Sequence, residues 1–228
     1  MEYEAVIEKL KSLSDPRALA AWDRMNVSHE AYLGVNLTKL KGVAKEIKRD
    51  HELALELWAS EIHDAKLLAT MIEEPKKVPL AQVDQQITEI YSVDLADKYA
   101  SNVVAKTPFV QAKMKEWTVA HNEMIKRSGY MLLVSQARRD KKLPDDYFEQ
   151  FLNTIEANIQ TEQNWVKEAM IYAMIAIGSR NKQLNARAVQ VAKNVGEIVV
   201  DYGDTACVTP NALGKLTDDR LLTKLEVV

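Results

Sequence analysis

Glycine and proline are scarce in this 228-residue chain, at seven and six residues. That is too few for the many turns an all-β sandwich of this length would need. There is a single cysteine, Cys207, so no internal disulfide framework can form, and the composition suits the reducing cytoplasm. No stretch of 18 consecutive apolar residues occurs, and Met1–Ser14 lacks a basic segment followed by an apolar one. A cytoplasmic protein that neither enters nor crosses a membrane is therefore expected. Common catalytic signatures are missing as well. His51-Glu52 opens like a zinc-protease helix, but Leu55 stands where the second histidine must be. No glycine-rich phosphate loop, nucleophile elbow or kinase signature is present, and Cys207 has no cysteine partner for zinc. His29, His51, His63 and His121 are scattered and read as surface or packing residues.

What the chain does have is helical periodicity almost throughout. Leu37, Leu40, Ala44 and Ile47 recur at three- and four-residue steps, as do Ile62, Ala65, Ala69 and Ile72. The same spacing links Ile125, Gly129, Leu132 and Leu133, and Trp165, Ala169, Tyr172, Ala173 and Ala176. Asp15-Pro16, Glu74-Pro75, Val78-Pro79, Thr107-Pro108 and Leu143-Pro144 break the pattern where short connections belong. A shift of 41 residues lays Asn122-Glu-Met-Ile-Lys-Arg-Ser-Gly over Gln163-Asn-Trp-Val-Lys-Glu-Ala-Met. The segment Ile62-His-Asp-Ala-Lys-Leu-Leu-Ala is a weaker third copy. That period is close to one HEAT-type helix pair, which cannot bury its apolar face alone and so stacks with its neighbours. Residues 1–228 are expected to form one all-α, HEAT-like solenoid domain of about 11–13 helices in antiparallel pairs, with a concave groove wide enough for a macromolecule. A plain helical bundle with chance similarity is the alternative.

The formal net charge is −3, but it is unevenly spread. Lys98 to Lys142 holds ten Lys and Arg against three acids, a local +7, which leaves −10 for the rest. From Ser179 to Gly196 there are four basic residues and no acid. Such separation can focus a positive field on one surface, although solvated helix faces also produce it.

Several ordered stretches carry a resemblance. They are Leu33 to Leu40, Ala44 to Ile47, Asp50 to Trp58 and Ile62 to Ala69, then Ser92 to Asp97 and Ile125 to Gly129. Asn164 to Ala169, Ile177 to Asn181 and Asp201 to Pro210 continue the series. Together they resemble the AlkD-like DNA alkylation repair proteins. The resemblance implies a HEAT-like solenoid that grips duplex DNA in its concave groove and excises cationic N3- and N7-alkylated purines without metal or cofactor. It places Asp97 on the family's essential aspartate, Asp94 on the preceding acid and Arg127 on its arginine. Asp97 would stabilise charge developing on the sugar or hold the attacking water, and Arg127 would grip a phosphate. Val93 and Tyr172 stand where the family has tryptophans. Valine offers no π face to a cationic base, whereas tyrosine keeps a smaller one.

With Trp165, the residues Val93, Asp94 and Tyr172 form the expected substrate wall. Lys126, Arg138, Arg139, Lys141, Arg180 and Lys182 are the expected DNA contacts of a monomer. Each has a plainer reading as an ordinary surface or core residue. Three functions fit: an alkylpurine DNA glycosylase with an altered pocket, a non-catalytic binder of damaged or branched DNA, and a protein-binding solenoid.

Overall fold

A computed structural model describes residues 1–17, 19–20 and 32–226. His29 lies outside the described residues. Among the described residues the secondary structure is helical, with no strand and no helix long and apolar enough to cross a membrane. The α-helices are α1 Tyr3–Ser12, α2 Leu37–Ile47, α3 His51–Ala59, α4 His63–Ile72, α5 Leu80–Gln86 and α6 Val93–Asn102. They continue as α7 Val110–Trp117, α8 Glu123–Arg139, α9 Asp145–Asn158, α10 Asn164–Gly178, α11 Lys182–Val195, α12 Ala212–Leu216 and α13 Asp219–Lys224. The proline signals hold: Pro79 and Pro144 are the N-cap residues of α5 and α9, and Pro75 and Pro108 lie in connections. Several helices are shorter than the apolar spacing suggests, α5 having 7 residues and α12 only 5.

The chain forms two compact units, Met1–Val110 with Tyr202–Ala206, and Gln111–Asp201 with Cys207–Val228. In the first unit α4 is central and packs against α2, α3 and α6. Its Ala65, Leu67, Leu68, Ala69 and Ile72 are all buried, so the helix is covered on most sides. Asp64 is fully buried and satisfied by backbone, accepting from the N–H groups of Val35 at 2.7 Å and Leu33 at 2.5 Å. A buried carboxylate with two backbone donors fixes the chain entering α2, which would otherwise have only its Asn36 cap to orient it.

In the second unit α8 and α10 form the most extensive pairing, and α11 packs on both α9 and α10. Leu132 and Leu133 of α8 and Ala169, Met170, Ala173 and Met174 of α10 are fully buried. Gly129 permits a close approach. A Cβ there would stand 2.5 Å from the Thr118 amide nitrogen and 2.7 Å from the Trp117 carbonyl carbon, at the end of α7.

The 41-residue repeat has a structural meaning. Asn122 is the N-cap of α8 and Gln163 the N-cap of α10, while the weaker copy starts on Ile62, the N-cap of α4. The shift therefore superimposes helix starts, and Lys66, Lys126 and Lys167 each occupy the fourth residue of their helix.

Candidate nucleic-acid interface

Counting from their caps, Asp97, Arg127 and Glu168 are each the fifth residue of a helix, in α6, α8 and α10. Two expected site residues, Asp97 and Arg127, thus share with Glu168 the same position counted from the start of a helix. Their surroundings differ between the two units.

In the first unit, Val93, Asp94 and Asp97 lie on the first turns of α6, all three partly exposed. Asp94 anchors a network. Its Oδ1 accepts from the Ser92 hydroxyl at 2.8 Å, and its Oδ2 pairs with His63 Nε2 at 3.0 Å. His63 is fully buried, and its Nδ1 lies 2.8 Å from the Tyr91 hydroxyl. Burial pushes the Asp94 carboxyl up, but the hydrogen bonds from His63, Ser92 and the Leu95 amide outweigh it and hold the carboxyl below its ordinary value. The Tyr91 phenol is pushed well above its ordinary range, first by burial and then by the charges of Asp94 and Asp64. Asp97 keeps its place on the helix, with its backbone carbonyl accepting from Ser101 Oγ at 2.7 Å. The structure ties Asp94 to His63, so its carboxylate is already occupied as a holder of that ring rather than turned to a substrate.

In the second unit, Arg127 departs from expectation. The side chain is 1% exposed, and Nη1 donates to Glu168 Oε2 at 2.8 Å and to the Trp165 carbonyl at 2.8 Å. A guanidinium that grips a phosphate must reach solvent. This one is enclosed and neutralised by the residue at the same step of the next repeat. Glu168 is itself 5% exposed, and its other oxygen accepts from the Tyr172 hydroxyl at 3.2 Å. Trp165, Glu168 and Tyr172 share one side of α10 at three- and four-residue steps, and Trp165 and Tyr172 are half-buried rather than core. The Trp165 amide donates to Glu123 Oε1 at 2.7 Å, so α8 and α10 are joined at their first turns as well.

The basic residues divide into two groups. Lys126 is paired with both oxygens of Glu162 at 3.0 Å, and Lys113 with Glu116 at 2.7 Å. Arg180 is turned inward: Nη1 donates to the carbonyls of Ala137 at 2.6 Å and Asp140 at 2.8 Å, and the guanidinium lies 4.0 Å over the Phe148 ring. Burial draws its pKa below the ordinary value. This arginine ties the end of α8 to the start of α9. By contrast Arg138, Arg139, Lys141 and Lys142 at the end of α8, and Lys182 opening α11, are exposed. Because Arg180 bridges from the start of α11 to the end of α8, these five charges share one edge of the second unit. Among the described residues no group of three or more His, Cys, Asp or Glu could hold a metal.

Sequence reasoning missed Glu168, His63 and Tyr91. Glu168 had one usable signal, its coincidence with Arg127 under the 41-residue shift. His63 and Tyr91 had none, since 28 residues separate the two.

Stacked helix pairs with repeat-equivalent polar residues and a basic edge define a HEAT-like repeat protein. The family of DNA alkylation repair enzymes matches residues 6–204, and the chain belongs to it. An uncharacterised protein of Listeria monocytogenes serovar 1/2a is 25% identical over 228 residues, covering 97% of this chain and 99% of the relative. An uncharacterised protein of Listeria innocua serovar 6a is 22% identical over 227 residues, covering 96% and 97%. A solved structure described as a new family of proteins related to the HEAT-like repeat DNA glycosylases, with affinity for branched DNA structures, has a TM-score of 0.88. It is 23% identical, and the match covers 99% of this chain and 96% of that one, so the two share a fold.

Proposed function

We propose that this protein binds DNA at branches or damaged sites and does not itself cleave the glycosidic bond. The observation that carries the reading is the enclosed Arg127–Glu168 pair, at 2.8 Å with side chains 1% and 7% exposed. The arginine that the resemblance assigns to catalysis is held inside the protein, and Val93 removes one aromatic wall of the expected pocket. Affinity for DNA is supported by the exposed edge of Arg138, Arg139, Lys141, Lys142 and Lys182, which presents positive charge to phosphates. The shared fold with a relative that has affinity for branched DNA supports the preference for branches.

The test compares a four-way junction with a linear duplex of equal length, and in parallel scores a 7-methylguanine duplex for free base. Tighter junction binding with no released base is expected. A second reading, an altered glycosylase acting through Asp97, is favoured by the partial exposure of that carboxylate on the first turns of α6. Free 7-methylguanine that disappears in the Asp97→Asn protein would establish that reading instead.

A further inference from the structure

We propose that Arg180 is the positioning residue of the DNA-binding edge: it clamps the turn between α8 and α9, so that the lysines on that turn meet DNA in a conformation set before binding. The inference rests on the DNA-binding reading above and names what gives that edge its shape.

The connection from α8 to α9 runs from Asp140 to Pro144 and carries two of the five exposed charges, Lys141 and Lys142. Its main chain is pinned from outside by one side chain. Arg180 Nη1 donates to the Ala137 carbonyl at 2.6 Å and to the Asp140 carbonyl at 2.8 Å, and Nη2 donates to the Leu143 carbonyl at 3.4 Å. From within, Asp140 Oδ1 accepts from the amides of Lys142 at 2.8 Å and Leu143 at 3.2 Å. The guanidinium is held in its turn, 4.0 Å over the ring of Phe148, a fully buried residue of α9. Beside it, Asn181 Nδ2 donates to both carboxylate oxygens of Asp145, at 3.0 and 2.8 Å, while its Oδ1 caps α11 by accepting from the Leu184 amide at 2.9 Å. Two consecutive side chains therefore lock the end of α8 to the first turn of α9. Lys182 follows them directly, so the same lock sets its place relative to the turn.

The chemistry explains why an arginine suits this position. The last carbonyls of a helix have no partner within it and carry the negative end of its dipole. A planar guanidinium can meet several carbonyls around its rim and still lay its face on a ring, whereas an ammonium is a compact point charge. Both hydrogens of Nη1 are engaged and Nε is buried, so most of this cation is directed at backbone rather than at a phosphate. Without the clamp, DNA would have to order the turn as it binds. Fixing the backbone of even one residue costs about tenfold in an equilibrium constant.

The experiment titrates a linear duplex and a four-way junction with wild type, Arg180→Gln and Arg180→Lys, at a temperature where urea unfolding shows each protein to be folded. The pair Lys141→Ala and Lys142→Ala is measured in the wild-type and Arg180→Gln backgrounds. Both Arg180 variants are expected to bind both DNAs about tenfold more weakly and to keep the wild-type salt slope, since no phosphate contact is lost. Unchanged affinity in both would overturn the inference. So would a slope flattened by about one unit in Arg180→Gln and restored in Arg180→Lys, the mark of a direct phosphate contact. Removing the two lysines is expected to cost roughly threefold less affinity in Arg180→Gln than in wild type, because their contribution depends on the clamp. Equal costs in the two backgrounds would reduce Arg180 to a stabiliser of the fold and defeat the proposal. The unaltered protein supplies an independent readout: hydrogen exchange at the Lys142 and Leu143 amides should be slow before DNA is added and change little afterwards. Amides protected only when DNA is present would mean that the turn is not preorganised, and would count against the clamp. Wild-type protein that binds neither DNA would overturn the DNA-binding reading itself, a result distinct from any failure of the Arg180 variants.

Discussion

Arg127 and Glu168 occupy the same step of consecutive repeats, and each supplies the charge the other needs inside the protein. Removing one partner of a buried pair leaves an uncompensated charge, which typically costs about 3–5 kcal/mol, whereas replacing both with apolar residues of similar volume is often neutral. Glu168→Ala is therefore expected to lower stability by about 3–5 kcal/mol, and Arg127→Met with Glu168→Leu by far less, both measured by urea unfolding. If Arg127 instead serves to hold phosphate, the double variant will keep its stability and lose DNA affinity. Asp94 makes a separate prediction. Its folded carboxyl lies below its ordinary value, so its contribution is fully present above the ordinary carboxylate range and is lost as pH falls through the lowered value. Melting temperatures of wild type and Asp94→Asn should differ at about pH 6 and converge towards about pH 3. The Asp94–His63 partnership was not legible beforehand, and the Arg127–Glu168 one left only the coincidence under the 41-residue shift. The sequence displays a charge but not its burial, and the partners of Arg127 and Asp94 lie 41 and 31 residues away.

At the level of elements, much more could be read in advance. Proline before an apolar stripe marks a helix start because it cannot donate a backbone hydrogen bond but is preset for the first turn, and Pro79 and Pro144 behave that way. The 41-residue shift was legible because it superimposes the caps of α8 and α10, and a cap fixes the phase of every residue after it. What periodicity could not reveal is where one helix nearly touches another. Gly129 looked like one more small residue on an apolar stripe, yet its α-carbon faces the backbone at the end of α7. The obstacle there is main chain rather than a flexible side chain, so it cannot swing aside. Gly129→Ala should destabilise the second unit by about 1–3 kcal/mol despite alanine's better helix propensity, as read by chemical denaturation. A neutral or stabilising outcome would mean that α7 can shift without loss.

For the molecule as a whole, net charge is a poor guide to its partner. The total is −3, yet Lys98 to Lys142 carries +7. The structure divides that surplus by use. Lys113, Lys126 and Arg127 are matched with Glu116, Glu162 and Glu168, so these pairs add little to the outward field. Arg138, Arg139, Lys141 and Lys142 remain exposed beside Lys182. Binding a polyanion through such an edge displaces condensed counterions, which makes the salt dependence of affinity a count of the phosphates contacted, at a slope of roughly −0.9 per contact for duplex DNA. Replacing Arg138, Arg139 and Lys141 together by alanine should flatten the log–log slope by roughly two to three units and weaken binding to every DNA structure alike. Lys126→Ala should leave the slope nearly unchanged, because that ammonium is already held between two carboxylate oxygens at 3.0 Å. The contrast separates charge that is merely present from charge that is available. Equal slopes in the triple variant and the wild type would remove the α8 edge from the interface. Titrations of a fluorescent duplex across a salt series would give both slopes under the same conditions.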